Sequence, residues 1–221
     1  MKSFVGALLL LLFLSCSAHL WAQEEEGNDN RKSNGNLGWP ISVPLNPTGQ
    51  FAKVGTGITY GAGYNFTRSH AVIGEFMWDW LHPSVNNLIG VSGATGHSNL
   101  YALTGEYRYE RRGETFGTYF IAGGGWYWRH SSLTTSVVTG SSITCTTAWV
   151  WWGATCSSGV VTSTETLKSS TTNALGGNAG IGFTIRVAEA PWRVYVEARY
   201  HYAPMKNVNT QLVLTTVGIR Y

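Results

Sequence analysis

Charge is the scarcest commodity in this 221-residue chain, with Asp, Glu, Lys and Arg together making up 12% of it. A soluble domain carries about twice that fraction, ~25%, to keep its outer faces wetted. A secreted soluble sandwich of this length is therefore a poor fit. The formal net charge, +3, is too mild to imply a nucleic-acid partner. Cysteine is nearly absent at three residues, and proline is limited to six. Neither a disulfide-dense miniature fold nor a proline-rich linker protein matches such a count. Long apolar runs are also missing. The longest lies near the start, Val5 to Leu14 with Leu8 to Leu12 at its heart, and ten residues fall well short of the ~20 that a spanning helix needs.

That run does fit a secretory leader. Lys2 supplies the positive start, and small and polar residues follow to Ala22, the arrangement of a signal peptide with an apolar core of ~7–15 residues. Residues 1–22 are read as the leader, with cleavage after Ala22. Cys16 offers a rival, lipid-modified amino terminus, but Leu14 occupies a position where a lipidation signal has a small residue. Residues 23–36 are polar and aperiodic and read as a linker on the periplasmic side.

From 37 to 221 the chain is built of alternation. Eight stretches place bulky apolar side chains at every second position, so that they share one face of a strand. In the second, Thr56, Ile58, Tyr60, Ala62, Tyr64 and Phe66 oppose Gly55, Gly57, Thr59, Gly61, Gly63 and Asn65. The third sets Val72, Phe76, Trp78 and Trp80 against Ile73, Glu75, Met77 and Asp79, and the fourth Tyr101, Leu103, Tyr107 and Tyr109 against Thr104, Glu106 and Arg108. Around Gly123-Gly-Gly125 the fifth has aromatics at both parities, so its facing stays open. The first is marred by Pro40 and Pro44, which cannot donate to a ladder. The last ends on Tyr221, with Val217 and Ile219 on its face. A strand at the end of a chain exposes an edge, and closing a barrel removes it.

The connections alternate too. They are short after strands 2, 4 and 6 and long after strands 3 and 5, which places both termini in the periplasm if an even number of strands spans an outer membrane. Ten residues at ~3.3 Å, tilted ~40–45°, cover about 24 Å, matching the apolar band of such barrels. Aromatic residues then form two belts: Trp78, Trp80, Tyr101, Tyr200 and Tyr202 outside, and Tyr64, Phe66, Tyr107, Tyr109, Trp192 and Tyr221 inside. The expected fold is all-β, an eight-stranded antiparallel up-and-down transmembrane barrel in the bacterial outer membrane.

Three segments carry the resemblance to a known family: Gly61-Ala-Gly-Tyr-Asn-Phe66, Val194-Tyr-Val-Glu-Ala-Arg-Tyr200 and Val217-Gly-Ile-Arg-Tyr221. The chain resembles the small outer-membrane barrels that include OmpX, OmpW and the OmpA transmembrane domain. The resemblance implies that Val217, Ile219 and Tyr221 form the signal read by the barrel-assembly machinery. Members of that family are anchors, adhesins, narrow channels or enzymes, so architecture alone does not assign an activity.

Function is sought in the lumen and in the outer loop. Eight strands enclose a space just wide enough for side chains. The inward set Glu75, Asp79, Glu106, Arg108, Arg186, Glu197 and Arg199 is nearly balanced, as a charge-pairing plug requires. A structural plug is the expectation, and a narrow gated channel in which these groups exchange partners is the alternative. Enzymatic readings are weaker. His97-Ser98, with Glu106 and Glu110 following, resembles the His-x-Ser of lipid A deacylases at the wrong spacing, because adjacent strand residues face opposite ways. Asp79 with His201 could form a hydrolytic dyad at the rim. His82, His97 and His130 lie near the outer side without metal-ligand spacing, and no cofactor motif is present. The long outer loop, about 131–171, holds Cys145 and Cys156, the two cysteines outside the leader. In an oxidising compartment they are expected to pair, contributing roughly 2.5–3 kcal/mol in the chain-entropy model. Trp149, Trp151 and Trp152 lie between them, either on a hairpin extension that rests its rings on headgroups or neighbouring loops, or as a candidate recognition patch for a surface ligand. The reading is a non-enzymatic barrel, structural or displaying its loops, in contact with outer-membrane lipid at both leaflets.

Overall fold

The computed structural model describes residues 32–84, 94–149, 153–187 and 190–221. The leader, the 85–93 segment and Trp151 and Trp152 at the long loop's tip lie outside these. Eight strands close on themselves in chain order: β1 (Ser33–Pro44), β2 (Ala52–Asn65), β3 (His70–Pro83), β4 (Ala94–Arg112), β5 (Phe116–Trp149), β6 (Gly153–Arg186), β7 (Arg193–Ala203) and β8 (Thr210–Arg220). Every neighbouring pair is antiparallel, including β1 with β8, where Leu37 faces Ile219 and Val43 faces Val213. That closing ladder leaves no sheet edge within the barrel wall.

Alternation dictates which way each side chain points. Trp39, Leu103, Ile181, Phe183 and Val217 are exposed on the outside, while Ile73, Glu75, Arg108, Tyr195 and Arg199 are buried within. The open question of β5 is settled by Tyr119, Ile121 and Tyr127, all buried, against exposed Phe120 and Trp126. Pro40 is tolerated because its missing donor falls on the β2 side. There the pairing passes from Gly38↔Thr59 to Ile41↔Thr56, while the β8 ladder runs through Pro40 without a break. Thr56 Oγ1 donates to the Pro40 carbonyl across that gap at 3.0 Å.

Three boundaries differ from the sequence reading. Ser33 to Asn36, read as part of the linker, pair with Tyr64 to Gly61 and extend β1 toward the periplasm. Gly35 also exchanges backbone hydrogen bonds with Tyr221, at 3.1 and 3.3 Å. Glu110, one residue past the alternation of the fourth stretch, still belongs to β4 and is buried. The third difference is the largest. Residues 131–149 and 153–171 of the outer loop continue β5 and β6 as a hairpin extension, paired up to Trp149↔Gly153. Their Thr, Val and Ser content suits a ladder, although composition alone does not fix where a polar strand ends and a loop begins.

Small residues inside the barrel make room for large ones. A side chain at Gly182 would run into the Tyr119 ring, and one at Gly218 into the Tyr195 ring. Both rings cross the lumen over a glycine of a neighbouring strand, and this is how so narrow a barrel holds two buried tyrosines.

Candidate functional site

The lumen divides into three layers. At the centre Arg199 of β7 meets carboxylates from three strands. Its Nη1 bonds Glu75 Oε1 at 2.7 Å and Glu106 Oε1 at 2.5 Å, and its Nη2 pairs with Glu197. None of these side chains is more than 4% exposed. Neutral donors complete the shell. Asn36 Nδ2 donates to Glu75 (3.0 Å), Thr104 Oγ1 and Asn178 Nδ2 donate to Glu106 (2.9 and 3.1 Å), and the Tyr119 hydroxyl donates to Glu197 (2.9 Å). Carboxylates outnumber guanidiniums three to one here, which a dry interior tolerates only with such added donors.

Toward the periplasm the ratio inverts. Glu110 pairs with Arg108 at 3.4 Å and Arg112 at 3.2 Å and accepts from Thr184 Oγ1 at 3.4 Å. The Arg220 guanidinium lies over the rings of Tyr119 and Tyr195, 4.4 and 4.7 Å from their centroids. This is cation–π geometry, and it shelters a charge that burial would otherwise penalise. Tyr119 links the two layers, giving its hydroxyl to Glu197 and its face to Arg220.

The outer half is richer in apolar side chains. Met77, Leu81, Leu100, Ala102, Tyr127, Ala203, Met205, Leu212 and Leu214 pack into one buried cluster. With Ala52 they fill much of the lumen between the charged centre and the outer mouth, where Asp79, His201, Ser42 and Thr210 are buried among them.

Six of the seven charges expected in the lumen are buried there: Glu75, Asp79, Glu106, Arg108, Glu197 and Arg199. They do not form one network, because Arg108 belongs to the periplasmic cluster and Asp79 lies beside Ser42. Arg186 is placed elsewhere, exposed at the periplasmic end of β6 opposite Arg193. The charged set expected in the lumen omits Glu110 and Arg220, although each sits at the inward parity of its strand. Tyr119 and Tyr127 lie on the fifth strand, whose facing the sequence leaves open, and Tyr195 shares the inward face of β7 with Glu197 and Arg199.

The enzymatic candidates are not assembled. His97 is exposed, whereas Ser98 is buried on the opposite face and bonds Ser131 at 2.8 Å. His201 Nδ1 pairs with the Tyr127 hydroxyl at 2.9 Å rather than with Asp79. No metal-holding group of three or more His, Cys, Asp or Glu occurs among the described residues.

Outside, Val217 and Ile219 face away from the lumen and are half exposed, and Tyr221 closes onto Gly35. In the outer belt Trp80, Trp78, Tyr101 and Trp128 form a continuous chain of ring contacts across β3, β4 and β5, with centroids 4.5 to 5.9 Å apart. In the hairpin the register sets Cys145 directly opposite Cys156. Their side chains and that of Trp149 are outside the described set.

Comparison with solved structures brings out other small barrels. Ail, the attachment invasion locus protein of Yersinia pestis, is 15% identical, with 86% of this chain and 98% of Ail aligned at a TM-score of 0.49. Neisserial surface protein A is 13% identical over 89% of this chain and 98% of its own, at 0.48. The N-terminal barrel of Pseudomonas aeruginosa OprF is 13% identical over 85% and 97%, at 0.42. No curated protein matches the sequence. A family model, the outer membrane protein beta-barrel domain, matches residues 8–220. With a closed eight-stranded wall, apolar outside and charged within, this chain belongs to that family of bacterial outer-membrane barrels.

Proposed function

We propose that the protein is a sealed, non-enzymatic barrel that carries the β5–β6 hairpin above the membrane to bind a partner surface or glycan. The observation that carries this reading is the mismatch in strand length. β4 leaves β5 at Ala94↔Thr135, and β7 leaves β6 at Gly177↔Tyr202. From Ser136 to Trp149, β5 has β6 as its one partner among the described residues. At ~3.3 Å per residue that stretch reaches about 45 Å along the strand, far more than a turn needs to join two strands.

The facing of Cys145 and Cys156 supports a bridge near the tip. Residues directly opposite in an antiparallel pair have Cα atoms ~4.5–5.5 Å apart, inside the range a disulfide spans. Pinned in this way, Trp149, Trp151 and Trp152 would be presented with a reduced ordering cost on binding. A narrow gated channel is the competing reading. The apolar layer of Met77, Leu100, Leu212 and Leu214 favours the sealed barrel, because opening it requires more than an exchange of ion-pair partners.

The test is replacement of Trp149, Trp151 and Trp152 by Ser. Attachment of cells expressing the parent to host surfaces or immobilised glycans should disappear, while the barrel keeps its heat-modifiable migration in SDS gels. Loss of the folded barrel in the triple variant, with no binding by the parent on any such surface, would show these to be packing residues and overturn the reading.

A further inference from the structure

The periplasmic end of the lumen holds more guanidinium than its carboxylate can pair. Arg108 and Arg220 are 1% and 4% exposed, and together with Arg112 they gather around Glu110. The oxygens of Glu110 are already divided. Oε2 faces Arg108 Nε at 3.4 Å and Arg112 Nη2 at 3.2 Å, and Oε1 accepts from Thr184 Oγ1. Glu197, the other carboxylate within electrostatic reach of Arg220, is taken by Arg199 and the Tyr119 hydroxyl.

A set of donors is left over. Nη1 and Nη2 of Arg108, Nε and Nη1 of Arg220 and Nε of Arg112 are buried and meet no hydrogen-bond acceptor among the described residues. A buried charged donor without an acceptor is costly, and native interiors keep one chiefly where water or an ion meets it. Arg108 also lies within Coulombic reach of both Arg220 and Arg112, so the three cations repel one another. The rings of Tyr119 and Tyr195 shelter the face of Arg220, but its Nε and Nη1 remain without an acceptor.

Charge and depth define what fits. Three guanidiniums against one carboxylate leave two positive charges over. The carboxylates of the central layer do not accept from these donors; they are shared among Arg199, Asn36, Thr104, Asn178 and Tyr119. Arg108 lies between Tyr107 and Tyr109 of the inner aromatic belt, and Arg220 between Ile219 and Tyr221, so the cluster is level with the periplasmic interface. The Arg112 side chain is 23% exposed, and Arg186 and Arg193 are register partners at the same end. A small anion thus meets a positive field on its way in from the periplasm.

We propose that the periplasmic end of the lumen is a binding site for a small tetrahedral oxyanion with two charges, phosphate or sulfate. Arg108 holds it through Nη1 and Nη2, an edge that matches two oxygens of such an ion. Arg220 adds donors from β8, and Arg112 closes the site on the periplasmic side. The ion ties β4 to β8 across the lumen and goes no further, because the three carboxylates around Arg199 repel it. This site is independent of the outer hairpin and of anything the hairpin binds.

The test uses the full barrel refolded into phosphatidylcholine nanodiscs, dialysed to equilibrium against labelled inorganic phosphate at mildly alkaline pH, where the dianion prevails. The parent should hold one phosphate per barrel, displaced by sulfate but not by chloride at equal ionic strength. Arg108→Gln should weaken binding about ten-fold or more, the scale of one charge-assisted hydrogen bond. Glu110→Gln should tighten it by removing the competing carboxylate. Heat-modifiable migration confirms folding, and Arg112→Gln replaces Arg108→Gln if that variant fails to fold. Phosphatidylglycerol added to the discs should leave phosphate binding unchanged. Absence of binding by the parent would overturn the proposal, as would equal displacement by chloride, the mark of an adventitious ion only. So would unchanged affinity in the folded Arg variant, no gain in Glu110→Gln, or competition by phosphatidylglycerol, which would put the site on the lipid-facing side of the wall.

Discussion

Removing Arg199 is the sharpest test of how the lumen is held together. Its guanidinium contacts Glu75, Glu106 and Glu197 at once, so Arg199→Met leaves three carboxylates in a space where none is more than 4% exposed. Stranding one member of a buried pair costs about 3–5 kcal/mol, and here three are stranded by one change. Single Glu→Gln substitutions differ in kind. In Glu197→Gln the Tyr119 hydroxyl still has an oxygen to donate to, and Arg199 keeps Glu75 and Glu106, so the loss should stay near ~1 kcal/mol. The expected order is therefore Arg199→Met far above any single Gln variant. Adding Glu75→Gln, Glu106→Gln and Glu197→Gln to Arg199→Met should recover most of the loss, because the amides keep Asn36, Thr104, Asn178 and Tyr119 as partners without the charge. Urea unfolding of the barrel in phospholipid vesicles, followed by tryptophan fluorescence and gel migration, measures all five variants. The reasoning fails if Arg199→Met falls within ~1 kcal/mol of the parent, or if Glu197→Gln costs as much as Arg199→Met.

Other outcomes follow from the same geometry. Planar-bilayer recordings of the refolded parent should show no steady porin-sized conductance, while Leu212→Ala with Leu214→Ala and Met77→Ala should introduce small openings by hollowing the apolar layer. Large steps in the parent would refute the seal. Gly182→Val should prevent refolding into the heat-modifiable form, because the new side chain meets the Tyr119 ring; ordinary folding would show that the ring has room to move. Arg220→Met should destabilise the barrel by roughly 1–2 kcal/mol through loss of two ring contacts, checked by the same urea titration. Thiol alkylation before and after reduction should reveal one intramolecular bridge between Cys145 and Cys156, and two alkylated thiols without reduction would rule it out.

The wall of the barrel was legible because alternation is a local property. Tyr60, Phe76, Leu103 and Val217 announce an apolar face every second residue, and the face alone says which side meets lipid. Glu110 and the hairpin were harder for a related reason. Where the outward positions turn from apolar to Ser and Thr, as from Ser132 onward, the contrast between faces fades, and strand and loop look alike in composition. Even so, Glu110 shares its parity with Glu106 and Arg108, and following that parity two residues further would have found it.

The sequence by itself determined the eight strands, the facing of all but the fifth, the two aromatic belts and the ends at which connections are short. All of these depend on neighbours two to ten residues apart. The partners in the lumen depend on register and closure, which relate positions far apart in the chain: Glu75 and Arg199 are 124 residues apart. Strand tilt and stagger decide which inward side chains share a height. Only the closed barrel could therefore bring three carboxylates onto Arg199, send Arg108 to Glu110 and part Asp79 from His201.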